Sequence, residues 1–412
     1  MTEVTRLRTI AVAAYGPTAL SSVGLGAVTP VLALTALRVG ADAGGAAVVV
    51  ALLGVGMVAG DLPAGAFAAR FGERWALIGA SLLEAAAFAA AGLTSSVPAL
   101  AAAVFAAGLA QSAFGLARHS YLAEAVPASL RARALSTLGG VHRVGMLLGP
   151  FIGAAAVARW GLGGAYAVAA VAGVGAALLV LSIRDLESPS RQTGGLPAAD
   201  APIEQKLTVT RVLTAHRRVL ATLGLGVLAI AAVRAARNAV VPIWAEAIGL
   251  DGASTSLVFG ISGTLDMLLF YPAGWLMDRY GRAAVAVPSM LVLGIGLLLM
   301  PLAGSFWSLV AVASVLGIGN GIGSGVLLTL GADVSPAQGR AQFLSGWRLM
   351  ADLGWVAGPG LVGAVAAIAS LGIASGVLGL IAWVGAAWLW VWAPRMPDRL
   401  SEADRNPPGA PR

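Results

Sequence analysis

Cysteine is missing from all 412 residues, which excludes disulfides and thiol catalysis. Histidine is scarce: His119, His142 and His216 show no metal-ligand spacing. Charged residues make up 11% of the chain, where a soluble protein carries roughly a quarter, so the chain is built for lipid. No Gly-x4-Gly-Lys loop is present, so ATP is not the direct energy source. With no His pair and no metal cluster, the reactive constellation of an enzyme is lacking too, and no cofactor is expected. The opening Met1–Arg8 is polar and leads into an apolar run long enough to span, which does not read as a cleaved signal.

What is there is apolar: 58% of residues are hydrophobic and the mean hydropathy is +0.86. The length accommodates about a dozen spans of roughly 20 residues with their connections. The expected fold is an all-α membrane protein of twelve transmembrane helices. The expected division is a six-span bundle over 1–183, a linker over 184–218 rich in Pro, Gly, Ser and charge, a second bundle over 219–393 and a tail over 394–412. Within the linker, Glu204–Val219 has some character of a surface helix.

The net charge is +7, but the basic residues recur in short groups between apolar runs instead of forming one patch, which argues against nucleic acid as a partner. Of 26 Lys and Arg, twenty fall in the termini and the connections on one side, and only Arg38 and Arg159 fall on the other. That asymmetry places both termini and the linker in the cytoplasm of a multi-pass cell-membrane protein.

The chain also repeats itself. Gly274, Asp278, Arg279 and Gly281, in a basic turn between two apolar runs, echo Gly65, Ala69, Arg70 and Gly72 at a separation of 209 residues (274 − 65). The same separation relates Pro63 to Pro272, Pro127 to Pro336, Arg131 to Arg340 and Gly149-Pro150 to Gly358-Pro359. Two tandem membrane halves are expected.

The residues of that turn, Gly274, Asp278, Arg279, Gly281 and Arg282, complete a Gly-x3-Asp-Arg-x-Gly-Arg signature. On it the chain resembles the major facilitator superfamily, and within it the twelve-span drug/proton antiporters. The first-half copy is degenerate, with Ala69 in place of the acid and Glu73 in place of a base. Gly145, Gly149, Pro150 and Gly153 match a fifth-span motif associated with proton-driven exporters; physically, small residues allow close helix approach and Gly-Pro bends the helix. Glu124 and Arg131, repeated as Asp333 and Arg340, are similar to the family's cytoplasmic charge pairs, which act with the two loops as gates. A fourth-span arginine used by many exporters is replaced by Gly108, although Gln111 lies nearby. The resemblance implies two bundles rocking about a central cavity, with spans two and eleven, and five and eight, facing each other.

The acids Asp61, Glu84, Asp266 and Asp352 and the arginines Arg143, Arg234, Arg237 and Arg348 lie inside spans. Each charge near a bilayer centre costs about 2.5–3.5 kcal/mol, so pairing is expected. By the resemblance, Arg143 meets Asp266 and Asp61 approaches Arg348, the two arginines serving as interface charges. Two readings stand: these pairs hold helices in register, or Asp61, Asp266 or Asp352 exchanges a proton as the halves rock. Arg234 and Asn238 share a face of the seventh span with Arg237 beside it, and with Gln111 and Asn320 they are the cavity candidates. The arginines bind an anionic substrate group or pair with the acids. Glu84, on a span peripheral in the family, has no expected role. The glycines of span ten, Gly317 to Gly325, are read as close packing.

The resulting expectation is a proton-driven secondary transporter, monomeric among membrane lipids, exporting a small amphipathic organic molecule by alternating access. Uptake of an anionic metabolite by proton symport and a lipid flippase on the same fold are the alternatives.

Overall fold

The computed structural model describes residues 3–126, 128–182, 208–336 and 338–393, and they are helical throughout, with no strand among them. Twelve helices are long and apolar enough to cross a bilayer. In chain order they are α1 (Glu3–Arg38), α2 (Ala43–Phe71), α3 (Glu73–Leu93), α4 (Val97–Ala125), α5 (Ala128–Trp160) and α6 (Leu162–Ser182). The second six are α7 (Arg217–Ala247), α8 (Gly252–Tyr280), α9 (Ala283–Leu302), α10 (Phe306–Asp333), α11 (Arg340–Ile368) and α12 (Leu371–Trp392). A short helix, Val209–Ala215, precedes α7 inside the stretch read as linker. The rest of that linker, 184–207, and the tail 394–412 lie outside the described residues. So does Pro127, and so do the side chains of Glu124 and Arg131.

The duplication read from the sequence is written into local structure. Asp42 accepts the Gly45 N–H at 2.6 Å to cap α2, and Asp251, 209 residues on, accepts the Ser254 N–H at 2.7 Å to cap α8. Both helices end on glycines of matching backbone, Gly72 at φ +85° and Gly281 at φ +86°, a conformation that strains any residue with a Cβ. The two signature turns therefore share a geometry although their charges differ. Asp251 lies outside the spans, and the Ser254 N–H and hydroxyl hold its carboxyl below the usual carboxylate range. A depressed value in the folded protein means that the cap stabilises above the unfolded carboxyl's range and is lost as pH falls through the folded value. Asp251→Ala is expected to cost about 1 kcal/mol, read as a lowered thermal midpoint in detergent at neutral pH, and the deficit should shrink on strong acidification.

Close packing follows the same symmetry. α5 lies on α1, and a Cβ on Gly149 would sit 2.6 Å from the Val23 carbonyl oxygen. α11 lies on α7, and a Cβ on Gly358 would be closer still to the carbonyl of Ala232, the counterpart of Val23. Gly145 and Gly354 repeat the pattern one turn earlier, against Ser22 and Ala231. Side chains are absent where two helix backbones touch, which in lipid is how helices gain contact without a hydrophobic driving force.

The halves meet along α2 with α11 and α5 with α8. Gly44 backs onto Gly363, Gly54 onto Trp355 and Val356, and Gly260 onto the Phe151 ring, all toward the side opposite the linker. Toward the linker side, a Cβ at Gly139, Gly140 or Gly274 would meet nothing within 4 Å. Exposed tryptophans ring both ends, with Trp75, Trp275 and Trp390 on the linker side and Trp160 and Trp307 opposite, as expected where helices cross the headgroup region.

Candidate site between the halves

The site is organised by a break in α10. Its two helical pieces, Phe306–Ile322 and Val326–Asp333, are separated by a turn in which Gly325 takes φ +84°. An interruption at membrane depth frees backbone carbonyls, which must find other donors. Ser289 donates to the Gly319 carbonyl at 2.6 Å, and Arg234 Nη2 and the Ser324 hydroxyl both donate to the Asn320 carbonyl, at 2.9 and 3.2 Å. The span-ten glycines read as packing do pack: Gly317 lies against Ser262 and Gly321 against Asp266. Gly325 does something further and turns the chain.

Around the break the intramembrane charges converge. Asn320 Nδ2 donates to Asp266 Oδ2, which ties α10 to α8. Asp266 lies in electrostatic reach of Arg143, Arg234 and Arg237, without an ion pair to any of them among the described residues. Its Oδ1, the Nε of Arg234 and Nη1 of Arg237 are buried with no hydrogen-bond partner. Three guanidinium groups surround one carboxylate, and polar atoms are left to spare. Asn238, a turn beyond Arg234, is half-buried on the same helix.

Arg143 corrects the sequence expectation. It crosses from the first half, but its Nη1 donates to Ser324 at 3.1 Å and its guanidinium lies 4.1 Å from the Phe270 ring centroid. It therefore latches onto the α10 break and an aromatic face instead of forming the ion pair with Asp266. An arginine at such a crossing can satisfy its charge on a π-face as well as on a carboxylate, and the sequence does not say which is nearer.

Asp61 and Arg348 do meet across the interface, at 3.3 Å, and Arg348 also bonds Asp352 one turn along α11, at 3.4 Å. Ser112 on α4 donates to Asp61 as well. One arginine thus bridges two acids, one from each half. Arg348→Gln would leave the two carboxylates facing each other without a cation. Because Arg348 and Asp61 are partly exposed, the cost should be on the order of 1 kcal/mol, less than the roughly 3–5 for a fully buried pair. Adding Asp61→Asn should restore most of the lost thermal stability, and a double mutant no more stable than the single one would contradict the bridge.

Gln111 is drawn away from the central cluster, donating to Glu84 at 2.5 Å. Ser21 joins them, so Glu84 is built into a polar cluster of its own; a charge in the middle of an otherwise apolar span was its only mark in the sequence. His142 bonds Ser22 at 2.6 Å in the same bundle.

At the linker-side end of the second half, Arg282 bonds Asp333 at 2.7 Å and Asp278 at 3.3 Å. Asp333 thus pairs with the signature loop and not with Arg340, which opens α11. These carboxylates hold the Arg282 guanidinium above its ordinary range. Arg279 stacks on Trp275 and Tyr280, and Arg70 on Phe71.

Two six-helix halves with a charged, partly unsatisfied site at a broken helix between them are the architecture of a membrane transporter. The chain belongs to the Major Facilitator Superfamily, whose family model matches residues 17–235 and 223–410. Among solved structures it is similar to a POT family transporter in complex with a thioalcohol-conjugated peptide, at TM-score 0.76 and 15% identity, covering 94% of this chain and 96% of that one. It is similar also to the nucleoside transporter NupG, at TM-score 0.73 and 14% identity over 93% and 99% of the two chains. At these identities the likeness is one of fold.

Proposed function

We propose that this protein is a proton-coupled transporter that exports a small organic molecule in exchange for protons, by alternating access in the cell membrane. The observation that carries the reading is the cluster at the α10 break. Asp266 is a carboxylate tied to the discontinuous helix through Asn320 and within electrostatic reach of arginines from both halves, so a change in its protonation changes the field on Arg143, the arginine that crosses between them. The fifth-span Gly145, Gly149, Pro150 and Gly153 favour export over uptake, through the antiporter-like resemblance. Both termini and the linker face the cytoplasm on this reading.

The substrate should carry a hydrogen-bond acceptor or an anionic group. Arg234 and Arg237 present buried N–H groups without partners, and three guanidiniums outnumber the one acid beside them. The same observation favours a second reading, proton-driven uptake of an anionic metabolite. Everted and right-side-out vesicles with an imposed proton gradient separate the two. Export requires substrate to move against the direction of proton flow, uptake requires movement with it, and net accumulation that does not respond to the gradient would contradict both.

A further inference from the structure

The acids assigned above leave Glu84 unexplained, and its setting differs from theirs. It is 1% exposed, on α3, a helix that packs on α4 and α6 within the first half. Its carboxylate reaches between α1 and α4, where Ser21 Oγ lies 3.0 Å from Oε2 and 3.2 Å from Oε1, and Gln111 Nε2 donates to Oε1. Gln111 is itself half-buried, so of the two bonded side chains it is the one open to its surroundings.

No cation bonds Glu84 among the described residues, yet one is close at hand. Arg118 lies seven residues beyond Gln111, on the same face of α4, and acts on Glu84 electrostatically without touching it. Its Nε is buried without a partner, and its guanidinium rests over Phe114, 5.7 Å from the ring centroid. The other groups that face this cluster come from every helix packed around it. α1 supplies Ser21 and Ser22, and α5 supplies His142, which bonds Ser22. α2 supplies Asp61, bound by Ser112 beside Gln111, and α4 adds His119 next to Arg118. Arg348 on α11 acts on Arg118 from the opposite half. α6 carries no charged residue.

We propose that Glu84 is a second proton-binding site, carried wholly by the N-terminal half, with Gln111 as its lid and Arg118 as the cation that displaces the proton. The ionised carboxylate accepts hydrogen bonds from Ser21 and Gln111. When it takes a proton from cavity water, its new O–H donates to Ser21 Oγ and the Gln111 bond is kept. When Arg118 moves up α4 toward it, the guanidinium takes the proton's place and the proton leaves to water. No other bond forms or breaks. Arg348 links this step to the interface, because it bears on Arg118 while it bridges Asp61 and Asp352.

Proton binding here is testable without a substrate, so its failure and that of the transport reading are distinguishable. Infrared difference spectra between acidic and alkaline pH, taken on the full chain in lipid, report the C=O stretch of carboxyls that gain a proton. Wild type should show a buried-carboxyl band that is lost in Glu84→Gln and retained in Asp266→Asn and Asp352→Asn. Arg118→Gln should shift the midpoint of that band, which a merely structural glutamate would not do. It also carries the test should Glu84→Gln fail to fold. A band unchanged by Glu84→Gln, or a midpoint unmoved by Arg118→Gln, overturns the proposal.

Discussion

Asp266→Asn should reduce proton-driven flux by on the order of 10- to 100-fold while the protein still inserts and purifies as a folded species. The magnitude corresponds to about 1.4–2.7 kcal/mol, the order expected when a charge-assisted hydrogen bond becomes a neutral one in a step that depends on the charge. Asparagine keeps the shape, and its side-chain oxygen still accepts from Asn320, so the tie between α8 and α10 survives. What disappears is the switchable charge facing Arg143, Arg234 and Arg237. Gradient-free exchange of substrate should persist in the variant, because rocking itself does not require the proton. The check is a pair of assays on the same reconstituted protein, one with and one without an imposed proton gradient. Full gradient-driven flux would remove Asp266 from the coupling.

The second large effect is structural. Gly358→Val should abolish or sharply lower the yield of folded protein. The new Cβ would be forced into the Ala232 carbonyl, backbone that cannot rotate away, so the cost sits at or above the upper end of the roughly 1–3 kcal/mol typical of overpacking. Gly149→Val should behave alike at the matching contact with Val23. Gly360→Val is the control, since a Cβ there meets nothing within 4 Å. Size-exclusion profiles and thermal midpoints in detergent would read all three. Equal tolerance of Gly358→Val and Gly360→Val would mean that α7 and α11 are not in backbone contact.

The architecture was legible in the sequence because it rests on features that survive in one dimension. Apolar run length, basic loop residues and a spacing of 209 need no knowledge of how each helix is rotated. The Asp61–Arg348 meeting followed from which helices face each other. The pairings that went elsewhere depend on rotation and reach. Arg143 is long enough to choose among Asp266, Ser324 and the Phe270 ring, and its partner is set by the path of α10 after Gly325. That path rests on one left-handed glycine among five in the run, and nothing in the run says which one turns. Asp333 finds Arg282 because the α8–α9 turn brings the signature loop beneath α10, while Arg340 lies beyond a further turn at the start of α11. Glu84 carries no role that a sequence shows, because its partners, Ser21 and Gln111, are neutral and lie on two other helices.

The absence of cysteine makes the central claim, two halves that pivot about a shared site, directly measurable. Spin-label pairs introduced through Gly140→Cys with Gly274→Cys on the linker side, and Gly163→Cys with Gly304→Cys on the opposite side, occupy positions where added atoms meet nothing. Distance distributions recorded in lipid at acidic and alkaline pH should move in opposite senses, the linker-side pair closing as the other opens. Distances that stay fixed, or that lengthen together, would contradict the pivot.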